Sequence, residues 1–153
     1  MSDATTPESD SEKLITGYIE YAEALGRGVP EDTPEMDAAA EAYFAVEGLI
    51  RDGHPTVTWP LVLEILRRVP DDRLDVYAAG PLEDLVRLRG AEIVDAIERE
   101  SSDDDRFRWA LGCIWLMIGD LPPDTMERIV RASGGEIRPL DASAVGRDRE
   151  SAT

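Results

Sequence analysis

The 153-residue chain carries 16 Lys and Arg against 33 Asp and Glu, a formal charge of −17, which argues against a nucleic-acid binder, because phosphate neutralisation needs clustered basic side chains. The same balance disfavours anionic membrane surfaces, and the longest apolar stretch, Trp109 to Ile118, falls well short of the roughly 20 residues a bilayer span requires. One Cys and one His exclude an internal disulfide framework and the usual zinc sites, while a 42% apolar and 32% charged composition suits a single soluble domain with a real core.

Residues 1–12 hold four acids and no base and read as a disordered acidic tail, too poor in apolar groups to offset the entropy of ordering. No basic start followed by an apolar run marks a secretory leader. A helical domain is expected over 13–133. Its first helix has Leu14, Ile15, Tyr18, Ile19, Ala22 and Leu25 at three- and four-residue steps and ends at Gly26 and Gly28. The second starts at Thr33-Pro34 and carries Met36, Ala39, Tyr43, Val46 and Ile50 before Gly53. In the third, Thr58 is the expected N-cap, Pro60 lies in the first turn, and Val62, Ile65, Leu66 and Val69 form the buried stripe up to Pro70. Three short helices are expected next, over 71–79, 81–89 and 91–100, with Gly80 and Gly90 closing the first two. Asp105 reads as the N-cap of a central helix from Arg106 to Ile118, apolar nearly all round and so buried on several sides. Pro122-Pro123-Asp124 opens a last helix with Met126, Ile129 and Val130 inward. The residues 134–153 read as a mostly flexible tail from which Ile137 to Leu140 can dock on the body. The fold class is all-α: a compact stack of seven to eight mostly short helices, solenoid-like in part because the links are so short.

The stretch Ala79-Gly80-Pro81-Leu82-Glu83-Asp84-Leu85-Val86, then Ile97-Glu98, then Asp105-Arg106-Phe107-Arg108-Trp109-Ala110-Leu111 with Trp115, resembles a family of small uncharacterised bacterial helical proteins. That family carries G-P-L-E-D-L-L, an acidic I-E helix, and D-P-x-F-R-x-A-L-x-x-x-W. The resemblance covers roughly Trp59 to Trp115, departing at Val86, where Leu is usual, and at Asp105, where Pro is usual. It implies an all-helical fold and no assigned reaction or ligand.

Seven residues are candidates for binding. Glu83 and Asp84 stand in a helix's first turn, where carboxylates complement the dipole; a cation or general-base role would need a third ligand. Glu98 with Arg106 and Arg108 reads as a partly buried ion pair between consecutive helices, or as anion recognition by the arginines. Trp109 and Trp115, placed about 240° apart on one expected helix, cannot share a surface, so one packs on a different neighbour or lines a groove; Trp59 and Trp115 are the two carried forward as binding candidates. Asp103 to Asp105 lack the alternation and glycine of a Ca²⁺ loop. His54 reads as a surface turn residue and Cys113 as a small hydrophobe. No nucleophile–base pair, phosphate loop, metal set or cofactor motif stands out. The chain reads as a cytoplasmic, non-enzymatic protein-interaction module, immunity-, antitoxin- or adaptor-like, its acidity fitting a basic protein partner. The alternative is a small ligand-binding or hydrolytic enzyme with Glu83, Asp84, Glu98 and Arg106 in one pocket. The near-absence of lysine, Lys13 being the only one, and the lack of Asn and Gln fit either GC-rich codon usage or work at high salt.

Overall fold

The computed structural model describes residues 7–142; residues 1–6 and 143–153, and with them the outer parts of the two expected tails, lie outside the described residues. Among these the chain is all-helical, with six helices of eight residues or more and no strand. It divides into two compact units, Met1–Val69 and Pro70–Thr153.

In the first unit α1 (Pro7–Gly26) pairs with α2 (Pro34–Asp52), and α3 (Pro55–Arg68) packs on both. α1 reaches back into the stretch read as a tail, and Glu12 is tied to α3 by Arg68 Nη1 at 2.7 Å. Ile15, Tyr18, Tyr21 and Ala24 are its buried face, whereas Leu25 is exposed; the seam follows the tyrosines. Tyr43 stacks flat on Tyr18, centroids 4.9 Å apart, and leans on Tyr21 at 4.8 Å, so three rings fill the α1–α2 interface. Helix contact is close there because Gly17 has no side chain: a Cβ would stand 2.5 Å from that of Ala42. α2 buries Met36, Ala39, Val46 and Ile50 as its spacing requires. α3 begins three residues before the expected cap. His54 is the N-cap, its Nδ1 accepting the Thr56 N–H at 3.2 Å, and Pro55 supplies the first helical turn with a residue whose missing N–H costs nothing there. Thr58, expected to cap, is fully buried inside the helix, its hydroxyl donating to the His54 carbonyl.

The second unit starts with a turn of 3₁₀ helix (Asp71–Arg73), a short α4 (Leu74–Tyr77) and a wide π turn (Ala78–Leu82). Pro81 lacks an N–H and crowds the carbonyl four residues back, and widening the turn relieves that crowding without ending the helix. The chain therefore runs directly into α5 (Glu83–Asp103), one 21-residue helix where two were expected. Gly90 does not close a helix. It is buried mid-helix, where a Cβ would meet Leu121 Cδ2 at 2.9 Å and Ile129 Cδ1 at 3.3 Å, so it makes room for the neighbours of α5. α6 (Asp105–Gly112) is shorter than expected and capped by Asp104, whose Oδ1 accepts the N–H groups of Arg106 and Phe107 at 2.9 and 3.3 Å. α7 (Pro123–Ala132) lays Met126 and Ile129 against α5, and Ile137 beyond it is buried too. These changes bring the expected seven or eight helices down to six of regular length.

Candidate functional site

The first turn of α5 fixes the loop 113–122. The Glu83 side chain is mostly covered, and both its oxygens are engaged: Oε1 accepts from Arg87 Nη2 at 2.8 Å, and Oε2 accepts the Trp115 backbone N–H at 2.8 Å. Arg87, one turn along the same helix, also donates to the Trp115 carbonyl at 3.3 Å. Its Nε lies 3.5 Å from Asp120 Oδ2 and its Nη1 3.9 Å from Asp84. Asp120 in turn accepts the Met117 N–H at 2.7 Å. On the other side the Ile118 N–H donates to the Leu140 carbonyl at 2.8 Å and the Leu140 N–H to Leu116 at 2.9 Å, an isolated bridge that holds the segment after α7 against the loop. Ile114, Leu116 and Leu121 point into the unit, which forces Trp115 and Ile118 outward, 63% and 65% exposed.

Trp115 is therefore neither helical nor in the core, and Trp109, on α6, is 55% exposed. The helix expected to run to Ile118 stops at Gly112, and the loop's backbone polar groups find partners in Glu83, Asp120 and Leu140 instead of in a further turn. Burial raises the Asp84 carboxyl from its ordinary value, with Arg87 opposing and Glu83 adding to the shift. Burial, then the Asp75 charge, raises the Cys113 thiol likewise, the reverse of what a nucleophile needs.

The remaining candidates stand elsewhere. Glu98 does not pair with Arg106 or Arg108. It binds Arg128 of α7, which also reaches Asp95 at 2.5 Å. Arg106 bonds Asp71 at 2.7 Å, and Arg108 bonds Asp105 at 2.6 Å. Nor do Glu83 and Glu98 share a pocket: on one continuous helix fifteen residues separate them by ~22 Å along the axis, which two short helices would not have required. Trp59, in the first unit, lines a cavity of about 920 Å³ with Leu14, Leu49, Val57 and Arg68. Among the described residues no group of three or more His, Cys, Asp or Glu side chains is placed to hold a metal ion, and no helix is long and apolar enough to cross a membrane.

Arg87 and Asp120, the partners that turn Glu83 into a clamp, are missing from the sequence candidates. The four-residue step from Glu83 to Arg87 is a legible helix pair; Asp120 has no local signal. No curated protein and no solved structure matches the chain. Residues 32–137 match DUF6869, a family of unknown function, over a span running from the loop before α2 to the buried Ile137, and the chain belongs to that family.

Proposed function

We propose that the protein is an interaction module, of the immunity, antitoxin or adaptor kind, that binds a basic protein through the 113–122 loop with Trp115 at the centre of the contact. The observation that carries this reading is a large exposed aromatic on a loop whose backbone is tied at Trp115, Met117, Ile118 and Asp120. A loop already ordered loses little entropy on binding, and exposed Trp is the side chain that most often dominates an interface. The surroundings set the sign of the partner's charge: Glu83, Asp84 and Asp120 share one guanidinium, Arg87, leaving the rim negative on a chain of −17. Like charge on two copies opposes self-association through this face. Glu83 supports the reading in a second way, since a carboxylate with both oxygens held by its own fold is a clamp and not a free general base.

The experiment compares wild type with Trp115→Ala and Trp109→Ala as baits in lysate of the source organism, followed by titration of the recovered protein in purified form. Trp115→Ala leaves the melting temperature unchanged, as the ring is exposed, and weakens the purified complex by about 30-fold, the range of an interface hot spot. Trp109→Ala binds as wild type does. A partner that is acidic, or one that holds Trp115→Ala as tightly as wild type, rejects the proposal.

A further inference from the structure

A second surface of the same unit gathers two arginines from different helices. A cavity of about 380 Å³ lies where the end of α5 meets the start of α6 and the end of α7, lined by Glu98, Ser101, Ser102, Arg108, Arg131 and Gly134. Ser101 is 3% exposed and its hydroxyl has no hydrogen-bond partner, an unusual state for a buried polar group, which nearly always finds protein, water or ligand. Arg108 and Arg131 each engage one carboxylate through Nη2, Asp105 at 2.6 Å and Glu127 at 2.9 Å. A guanidinium has five N–H donors, and the Arg108 and Arg131 side chains are 45% and 70% exposed. Asp105 and Glu127 are themselves 88% and 70% exposed and hold the arginines weakly. Glu98, the acid on the rim, shares Arg128 with Asp95. A second cavity, about 650 Å³, shares Arg108 and Gly134 with the first and continues past the carboxylates Asp105 and Glu136 to Trp109 and Cys113.

From this juxtaposition we infer a binding site for a small phosphate monoester, its phosphate between Arg108, Arg131 and Ser101 and its flat organic body against Trp109. Two planar guanidinium groups meeting at one cavity match the paired oxygens of a phosphate. The Ser101 hydroxyl supplies the donor that the fold leaves unused. The exposed face of Trp109 takes an aromatic body by stacking. Arg108 thereby gains the anion-recognition role that its position beside the apolar run suggests, with Arg131 and not Arg106 as its companion.

The full chain is titrated calorimetrically with inorganic phosphate and with phenyl phosphate, at constant ionic strength in a phosphate-free buffer. Phenyl phosphate binds saturably and about fivefold or more tighter than inorganic phosphate. Arg131→Met, a change at a 70% exposed side chain, weakens both probes by about tenfold, the loss of one charge-assisted contact. Ser101→Ala weakens both without lowering the melting temperature. Trp109→Ala brings phenyl phosphate down to the affinity of inorganic phosphate. Absence of saturable binding, or an Arg131→Met curve superimposable on wild type, overturns the site; equal affinities for the two probes overturn the monoester. Trp115→Ala leaves these titrations unchanged, so this outcome is independent of the protein partner.

Discussion

Glu83 joins the start of α5 to the loop by one charge-assisted bond, from the Trp115 N–H, and is held on its own helix by a second, from Arg87; the side chain is only 13% exposed. Removing it leaves the Trp115 N–H without its acceptor and Arg87 without its closest carboxylate. Glu83→Ala is therefore expected to cost about 1–3 kcal/mol, the range for a hydrogen bond to a charged group, and to speed hydrogen exchange at the Trp115 amide far more than at Ile97. Equal exchange in the variant and the wild type would mean that the Leu140 bridge alone holds the loop. Asp84 next to it titrates in the opposite sense to a paired acid. Burial raises its folded pKa, so its contribution is most favourable below the unfolded value and turns into a cost as pH rises through the folded one. Asp84→Asn removes that cost. Its melting temperature exceeds wild type slightly at pH 7, with the gain vanishing near pH 3, below the ordinary carboxylate range. Glu12, whose pKa is lowered by its hydrogen bond to Arg68, contributes with the contrary sign: its share is present above the unfolded pKa and is lost on acidification. Glu98 shows why a residue list does not fix partners. Its pair with Arg128 is more than a third exposed on both sides, with Asp95 as a second acceptor, so Glu98→Ala shifts the melting temperature no more than Asp103→Ala does.

At the scale of the helices, spacing made α2 and α7 readable, since a stripe such as Met36, Ala39, Val46 and Ile50 has only one way to be buried. Glycine and proline were ambiguous. Gly80-Pro81 and Gly90 are strong stop signals in a sequence, because a mid-helix glycine costs about 1 kcal/mol and proline about 3. Both are overridden by tertiary packing: a π turn accommodates Pro81, and Gly90 admits Leu121 and Ile129. With α5 unbroken, Glu83 and Glu98 fall far apart and the pocket expected of them dissolves. The two glycines at close contacts predict different outcomes. Gly17→Ala sets a new Cβ against the Ala42 Cβ at 2.5 Å, and neither atom can rotate away, so α1 and α2 must separate at a cost of about 1–3 kcal/mol. Gly90→Ala meets only the methyl tips of Leu121 and Ile129 and regains about 1 kcal/mol of helix propensity. Urea midpoints are expected to fall clearly for Gly17→Ala and less for Gly90→Ala; the reverse order would show that the α5–α7 contact is the less yielding of the two.

For the molecule as a whole, charge sets two opposed responses to salt. Added salt weakens attractive surface pairs such as Arg131–Glu127 and Arg67–Glu64, both widely exposed, and each of these is worth at most about 1 kcal/mol. It also screens repulsion among 33 acids that outnumber the 16 basic groups two to one. In the folded chain these charges are confined to a small surface, while unfolding spreads them apart. The Debye length falls from about 30 Å at 0.01 M to about 3 Å at 1 M, which removes nearly all of the long-range repulsion and only part of the contact pairing, because pairs such as Arg67–Glu64 and Arg128–Asp95 sit at 3.7 and 2.5 Å. Repulsion is the larger effect, so the folded state should gain from salt. The urea midpoint is expected to rise from 10 mM to 1 M KCl, while the same molar amount of a neutral solute such as glycerol does not reproduce the difference. A midpoint that stays level or falls would mean that the local ion pairs outweigh the net charge, and it would remove the high-salt reading of the lysine-poor composition.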